Sequence, residues 1–197
     1  MEKNENIMDR RSITKMLSLS LEKHLGYNLA PQGYIAKEVT FDHGTSHAIR
    51  VDYMRFKPLN NTVSGIEKGD FYCYEVKSSV EDFRSKNGHN FIGDYNYYVM
   101  PEDVYESVKN DIPYYVGVYV PGVACNHRWY TLESVTKAKR HDRSRPVSEM
   151  LLMMFRSCVR GGFLSENKEI LEMEYRHCGE KDICIDDWSG GIIYEDN

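Results

Sequence analysis

The chain of 197 residues carries a formal charge of −5 at pH 7, with 41% hydrophobic and 28% charged residues. It is long enough for one proper core and has the composition of a globular protein. The negative balance excludes a general basic coat for nucleic acid, so any such contact requires a local patch. No apolar run approaches a membrane span, and the polar N-terminus shows no signal-peptide pattern, so a cytoplasmic location is expected.

Residues 1–10 are polar and read as a frayed end. Ser12 can cap a helix whose apolar positions, Ile13, Met16, Leu17, Leu21 and Leu25, follow the helical period, with Gly26 as its stop. Residues 34–41 read as a strand, 42–45 as a turn and 48–56 as a second strand. A loop rich in Asn, Gly and Ser follows over 58–69. Residues 71–79 form an aromatic and β-branched strand, read as central and buried. Ser79 to Asp82 resembles a capping box, with Asp in place of Glu or Gln, opening a short helix through Phe83 that Asn87-Gly88 breaks.

Residues 95–100 read as a further strand. Pro101 suits the first position of a helix over 102–109, where its fixed φ fits and no N–H is lost. Residues 114–120 are the next strand, ended by Pro121-Gly122, and 129–132 a short partner. An apolar helix over 148–160 closes on Gly161-Gly162. The order α-β-β-β-α-β-α-β-(β)-α predicts a mixed sheet covered by helices. Residues 1–163 form the expected domain. Residues 164–197, with Trp188 and Gly190-Gly191, are an extension with two open roles: an extra hairpin on the core, or self-association into a homodimer.

The five cysteines, Cys73, Cys125, Cys158, Cys178 and Cys184, are odd in number and scattered. They read as free thiols in a reducing compartment. A zinc site from Cys125, His127, His177, Cys178 and Cys184 can be drawn, but no C-x-x-C pair supports it.

The chemistry centres on Glu75 and Lys77. Side chains alternate along a strand, so these two share one face while Val76 points away. Buried charge is costly without a partner or a metal. A carboxylate and an ammonium at a strand end can hold a divalent cation and a scissile phosphate side by side; a plain ion pair is the alternative. Glu-x-Lys alone is weak, since Glu166-Asn167-Lys168 repeats it in a polar segment. Context separates the first copy: an apolar strand before it and a helix cap after it.

Asp52 lies on the preceding strand, and an antiparallel return places it within about 5 Å of Glu75. Two carboxylates that close repel unless a cation lies between them or one is protonated. Magnesium fits, with its preference for one or two carboxylates plus waters and phosphate oxygens.

Asp52 followed by Glu75-Val76-Lys77 one strand later resembles the signature of the PD-(D/E)XK, or restriction-endonuclease-like, nuclease superfamily. Val51 stands where a proline usually precedes the first Asp. Residues 74–83 and 93–103 further resemble the MmcB-like DNA-repair group, and the likeness covers roughly residues 45–120. The resemblance implies a restriction-endonuclease-like fold and a magnesium-dependent nuclease, with manganese as a substitute. Such an enzyme hydrolyses phosphodiester bonds in DNA, in repair or in phage or mobile-element metabolism. It implies Asp52, Glu75 and the Val76 carbonyl as metal ligands, and Lys77 as the group that orients water and steadies the phosphate. Glu22 on the leading helix is the available candidate for an extra acidic residue, against an ordinary surface role.

Lys86, His89 and Asn90 either touch a phosphate or form a solvated loop. Asp94 reads as a structural cap. Lys137, Lys139, Arg140, Arg143 and Arg145, with His141 among them, are the candidate DNA-backbone patch. A non-catalytic DNA-binding module, an RNA-directed nuclease and a purely structural protein remain rival readings.

Overall fold

A computed structural model describes residues 9–27, 33–85, 87–126 and 129–161. The chain separates into two compact units, residues 1–163 and 164–197. The second unit lies outside the described residues, as do Lys86, His127, His177, Cys178 and Cys184. The zinc reading depends on those positions and on the Cys125 side chain.

The elements run α1 (Arg10–Tyr27), β1 (Tyr34–Phe41), β2 (Ile49–Lys57), α2 (Val63–Glu67), β3 (Asp70–Val76), α3 (Val80–Arg84), β4 (Tyr95–Val99), α4 (Glu102–Val108), β5 (Gly117–Asn126), β6 (Trp129–Thr136) and α5 (Val147–Gly161). The six strands form one mixed sheet in sequential order. β1, β2 and β3 pair antiparallel, β3, β4 and β5 parallel, and β5 and β6 antiparallel. This is the mixed sheet flanked by helices that the element order implies.

Period-two alternation sorts β3 and β4 cleanly between two covered faces. Tyr74, Val76 and Val99 pack against Leu17, Leu21 and Leu25 of α1. Phe71 and Cys73 turn the other way, into a cluster with Met150 and Met154 of α5. Tyr98 lies on that second face too, against Phe83 of α3 and Val104 and Val108 of α4. β3 is thus buried on both sides, which is why its sequence reads as nearly continuous apolar and aromatic residues.

The structure departs from the sequence expectations at several elements. α1 starts at Arg10, ahead of Ser12, and Asp9 takes the capping role, its Oδ1 accepting from the Ser12 N–H at 3.0 Å; the helix also runs past Gly26 to Tyr27. Pro101 stands just outside α4 as its cap residue, and β6 extends to Thr136 rather than 132. The 58–69 loop contains the short helix α2, whose Thr62 hydroxyl accepts from the Gly65 N–H. β5 starts at Gly117 rather than residue 114 and runs through Pro121 to Asn126, in a long hairpin with β6. β4 pairs with it only as far as Tyr119, so Pro121 lies where the strand has an open edge and a bulge, as a proline in a sheet requires.

Candidate active site

The β2–β3 ladder ends at the Tyr53–Tyr74 pair, and the next position along each strand is Asp52 and Glu75. With the ladder finished, the Asp52 carboxylate replaces a main-chain acceptor: its Oδ2 accepts from the Val76 N–H at 2.9 Å. Asp52, Glu75, Val76 and Lys77 line one open pocket of about 710 Å³. The two carboxylates and the lysine singled out from the sequence are therefore neighbours.

Glu75 is only 8% exposed and has no hydrogen-bond partner among the described residues. Burial, then the Asp52 charge, pushes its carboxyl up to about 9, against the opposing pull of Lys77 and Arg50. Asp52 is also pushed above the usual carboxylate range by burial, offset by the Val76 N–H, Arg50 and Lys77.

Lys77, 3% exposed, does not close an ion pair with Glu75. Its Nζ donates to the Asn87 carbonyl at 2.6 Å and lies 3.5 Å from the Asp82 carbonyl. The loop after α3 supplies this cradle and closes over it with Gly88 at φ +72°. A Cβ there would stand 2.7 Å from Glu75 Oε2 and 2.8 Å from Lys77 Nζ, so glycine serves both the backbone conformation and the close approach.

The α3 cap braces the same corner. Ser79 Oγ accepts from the Asp82 N–H at 3.2 Å, and Asp82 Oδ2 accepts from the Ser78 N–H and hydroxyl. The capping carboxylate thus reaches Ser78 rather than completing a box with Ser79. Its other oxygen pairs with Arg10 of α1 at 3.0 Å, which closes the pocket between α1 and α3.

Several expected residues lie elsewhere. Glu22 is neither an ordinary surface residue nor on the pocket wall: it accepts from the Tyr53 hydroxyl at 2.7 Å and pairs with Lys37. Burial and Glu22 keep Tyr53, which does line the pocket, protonated well above the usual phenol range. His89 is absorbed structurally. Its Nε2–H donates to the Phe83 and Ser85 carbonyls, leaving Nδ1 to accept from the Tyr98 hydroxyl at 2.5 Å. Asn90 does line the pocket.

The basic stretch lies away from the pocket. Asp94, 1% exposed, accepts from the Phe71 N–H, from Arg143 at 3.0 Å and from Arg140 at 3.2 Å. Arg143 also donates to the Gly69 and Glu67 carbonyls, and Arg145 is bonded to Asp42 and Glu149. These arginines fasten the segment before α5 to the sheet. Lys139 differs: it is exposed, with its ammonium 4.9 Å from the Tyr114 ring centre.

Sequence reasoning passed over Glu38, Arg50, Asp82 and Arg10, all on the pocket wall. Glu38 is the least expected, a non-glycine residue at φ +53° inside β1. The structure shows why: Ala36 and Val39 are both core residues three apart, which breaks strand alternation at the residues between them.

No protein-family model and no curated protein matches the chain. One solved structure, described as the SPO1766 protein of unknown function from Silicibacter pomeroyi, is similar at 17% identity and a TM-score of 0.49. The likeness covers 85% of this chain and 94% of that one. Among the described residues no helix is long and apolar enough to cross a membrane.

Proposed function

We propose that the chain is a magnesium-dependent phosphodiesterase acting on DNA, with manganese as a substitute. The observation that carries this reading is Glu75: a carboxylate on a residue only 8% exposed, without a hydrogen-bond partner among the described residues, beside the half-buried carboxylate of Asp52. Such a pair is costly to hold ionised in a low-dielectric pocket unless a cation neutralises it. The donors are all oxygens, which suits a hard cation better than zinc. Among the described residues no three His, Cys, Asp or Glu side chains are gathered into a cage.

In this reading Asp52, Glu75 and the Val76 carbonyl hold the ion, which supplies Lewis-acid polarisation of the phosphate. The chain's own residues do the remainder. Lys77, fixed by the Asn87 carbonyl, places its ammonium beside the carboxylates, where it orients the attacking water and offsets charge that grows on the phosphate. The Asp52–Val76 bond fixes the separation of the two strands, and the Asp82–Arg10 pair holds the α3 side of the pocket. The guanidinium groups of Arg10 and Arg50 on the pocket wall supply positive charge for a polyanion, which a chain of net charge −5 otherwise lacks.

The test is cleavage of plasmid and oligonucleotide DNA, with RNA in parallel, by wild-type protein and Lys77→Ala purified identically. Because Lys77 is not a ligand, the variant is expected to keep metal and DNA binding and lose on the order of 10²–10³ in rate. Cleavage by Lys77→Ala at the wild-type rate refutes the mechanism. Metal and DNA binding without turnover by either protein selects the non-catalytic binding module.

A further inference from the structure

The carboxylates of the pocket do not stop at two. The β1–β2 register pairs Lys37 with Tyr53 and Val39 with Val51, so Glu38 stands opposite Asp52. Asp52 in turn stands next to Glu75 where the β2–β3 ladder ends. Glu38, Asp52 and Glu75 therefore form a row across three neighbouring strands, and all three line the pocket. The backbone is shaped for this. Ala36 and Val39 of β1, and Val51 and Met54 of β2, all enter the α5-side core. Both strands thus change phase at the same place, and Glu38 sits at that step in the left-handed region. A non-glycine residue kept in that region inside a strand is strain that the surrounding structure sustains.

The lengths of the side chains suit convergence. The short Asp52 is central, and the two longer glutamates flank it from strands about 10 Å apart, twice the interstrand spacing. Glu38 and Glu75 can lean inward over Asp52, and their reach from each side spans that gap. In the structure Glu38 is instead turned onto Arg50, with Arg50 Nε 2.9 Å from Glu38 Oε2 and both side chains more than half exposed. Glu75, buried and unpartnered, independently marks the pocket as a place where a positive ligand is due.

Resting on the metal-dependent reading above, we propose that Glu38 is the third carboxylate of the cation site and that Arg50 competes with the cation for it. The guanidinium is the exchangeable counter-ion of Glu38, and a phosphodiester oxygen is the group it takes when Glu38 turns to the metal. Cation and phosphate binding then support each other: each draws one half of the Glu38–Arg50 pair away from the other.

The test titrates manganese alone by calorimetry into DNA-free wild-type protein, Glu38→Gln, Arg50→Gln and the double variant, with thermal unfolding of each. Glu38→Gln is expected to weaken manganese binding about tenfold or more, as loss of a supporting ligand does. Arg50→Gln is expected to tighten it by up to about fivefold, the most that an exposed pair competes for. In the Glu38→Gln background the Arg50 change is expected to gain less than it does alone, because the contact with Glu38 is then gone and only the direct charge of Arg50 on Asp52 and Glu75 remains. Adding a short oligonucleotide phosphodiester is expected to tighten manganese binding in wild type and to do so less in Arg50→Gln.

Unchanged affinity in Glu38→Gln, with wild type binding manganese, overturns this inference and leaves the proposed function standing. Weakened binding in both single variants with equal losses in melting temperature shows a plain clip between β1 and β2, and also overturns it. No manganese binding by wild type overturns the proposed function and this inference together.

Discussion

Replacing Glu75 by Gln is expected to stabilise the cation-free protein, although it removes a residue assigned to the centre of the site. The Glu75 carboxyl is raised from 4.5 to about 9, so between those values the folded state holds a proton that the unfolded state has released. Stability therefore falls as pH rises through that window, is fully retained below about 4.5, and reaches its full loss above about 9. At about 1.4 kcal/mol per pH unit, the span from 4.5 to neutrality corresponds to about 3 kcal/mol. Glutamine has nearly the same shape and does not ionise, so it avoids this loss. Urea unfolding of both proteins in chelator from pH 5 to 9 measures it: the curves should converge near pH 5, with the variant ahead by about 3 kcal/mol at pH 7. Saturating magnesium should reverse the order, because the cation stabilises only the protein that retains the ligand. A difference that stays flat with pH, or a variant less stable at pH 8 in chelator, would refute the idea that Glu75 is a buried carboxylate awaiting a cation.

Gly88→Ala is expected to cost about 1–2 kcal/mol from its left-handed backbone. Its Cβ should also displace Glu75 and Lys77, so that calorimetry shows weaker metal binding than the stability loss explains. Arg143→Ala removes a charge-assisted bond to the buried Asp94 and should cost about 2 kcal/mol in denaturant unfolding, with magnesium affinity unchanged. For Lys139→Ala, DNA binding followed against salt should lose about 0.9 from the log–log slope if this lysine touches phosphate. An unchanged slope leaves Lys139 as the cationic lid of Tyr114 alone.

Much of the fold could be read because local pattern and tertiary burial agree. The helical spacing of Leu17, Leu21 and Leu25 marks the stripe of α1 that faces the sheet. The aromatic runs of β3 and β4 reflect strands covered on both sides. Asp52, Glu75 and Lys77 were legible because antiparallel pairing and strand alternation constrain where three side chains at those positions go. Glu38 was not. A single residue in the left-handed region shifts the phase of β1, and a strict period of two places the residues after it on the wrong face. The contacts of the basic stretch were hidden for a different reason. The partner that holds Arg140 and Arg143 is Asp94, more than forty residues earlier, and charge spacing alone carries no trace of a contact at that distance. α2 was hidden because five residues in a polar loop leave no apolar period to detect.

The central claim is that one hard cation binds between Asp52 and Glu75. Diffraction from crystals soaked in manganese, recorded with its anomalous signal, tests this most directly. The expected result is a single anomalous peak within about 2.3 Å of an Asp52 Oδ atom, a Glu75 Oε atom and the Val76 carbonyl oxygen, with Lys77 Nζ outside the coordination sphere. No peak in that pocket at tens of millimolar manganese, or a peak that persists in Glu75→Gln, would contradict it.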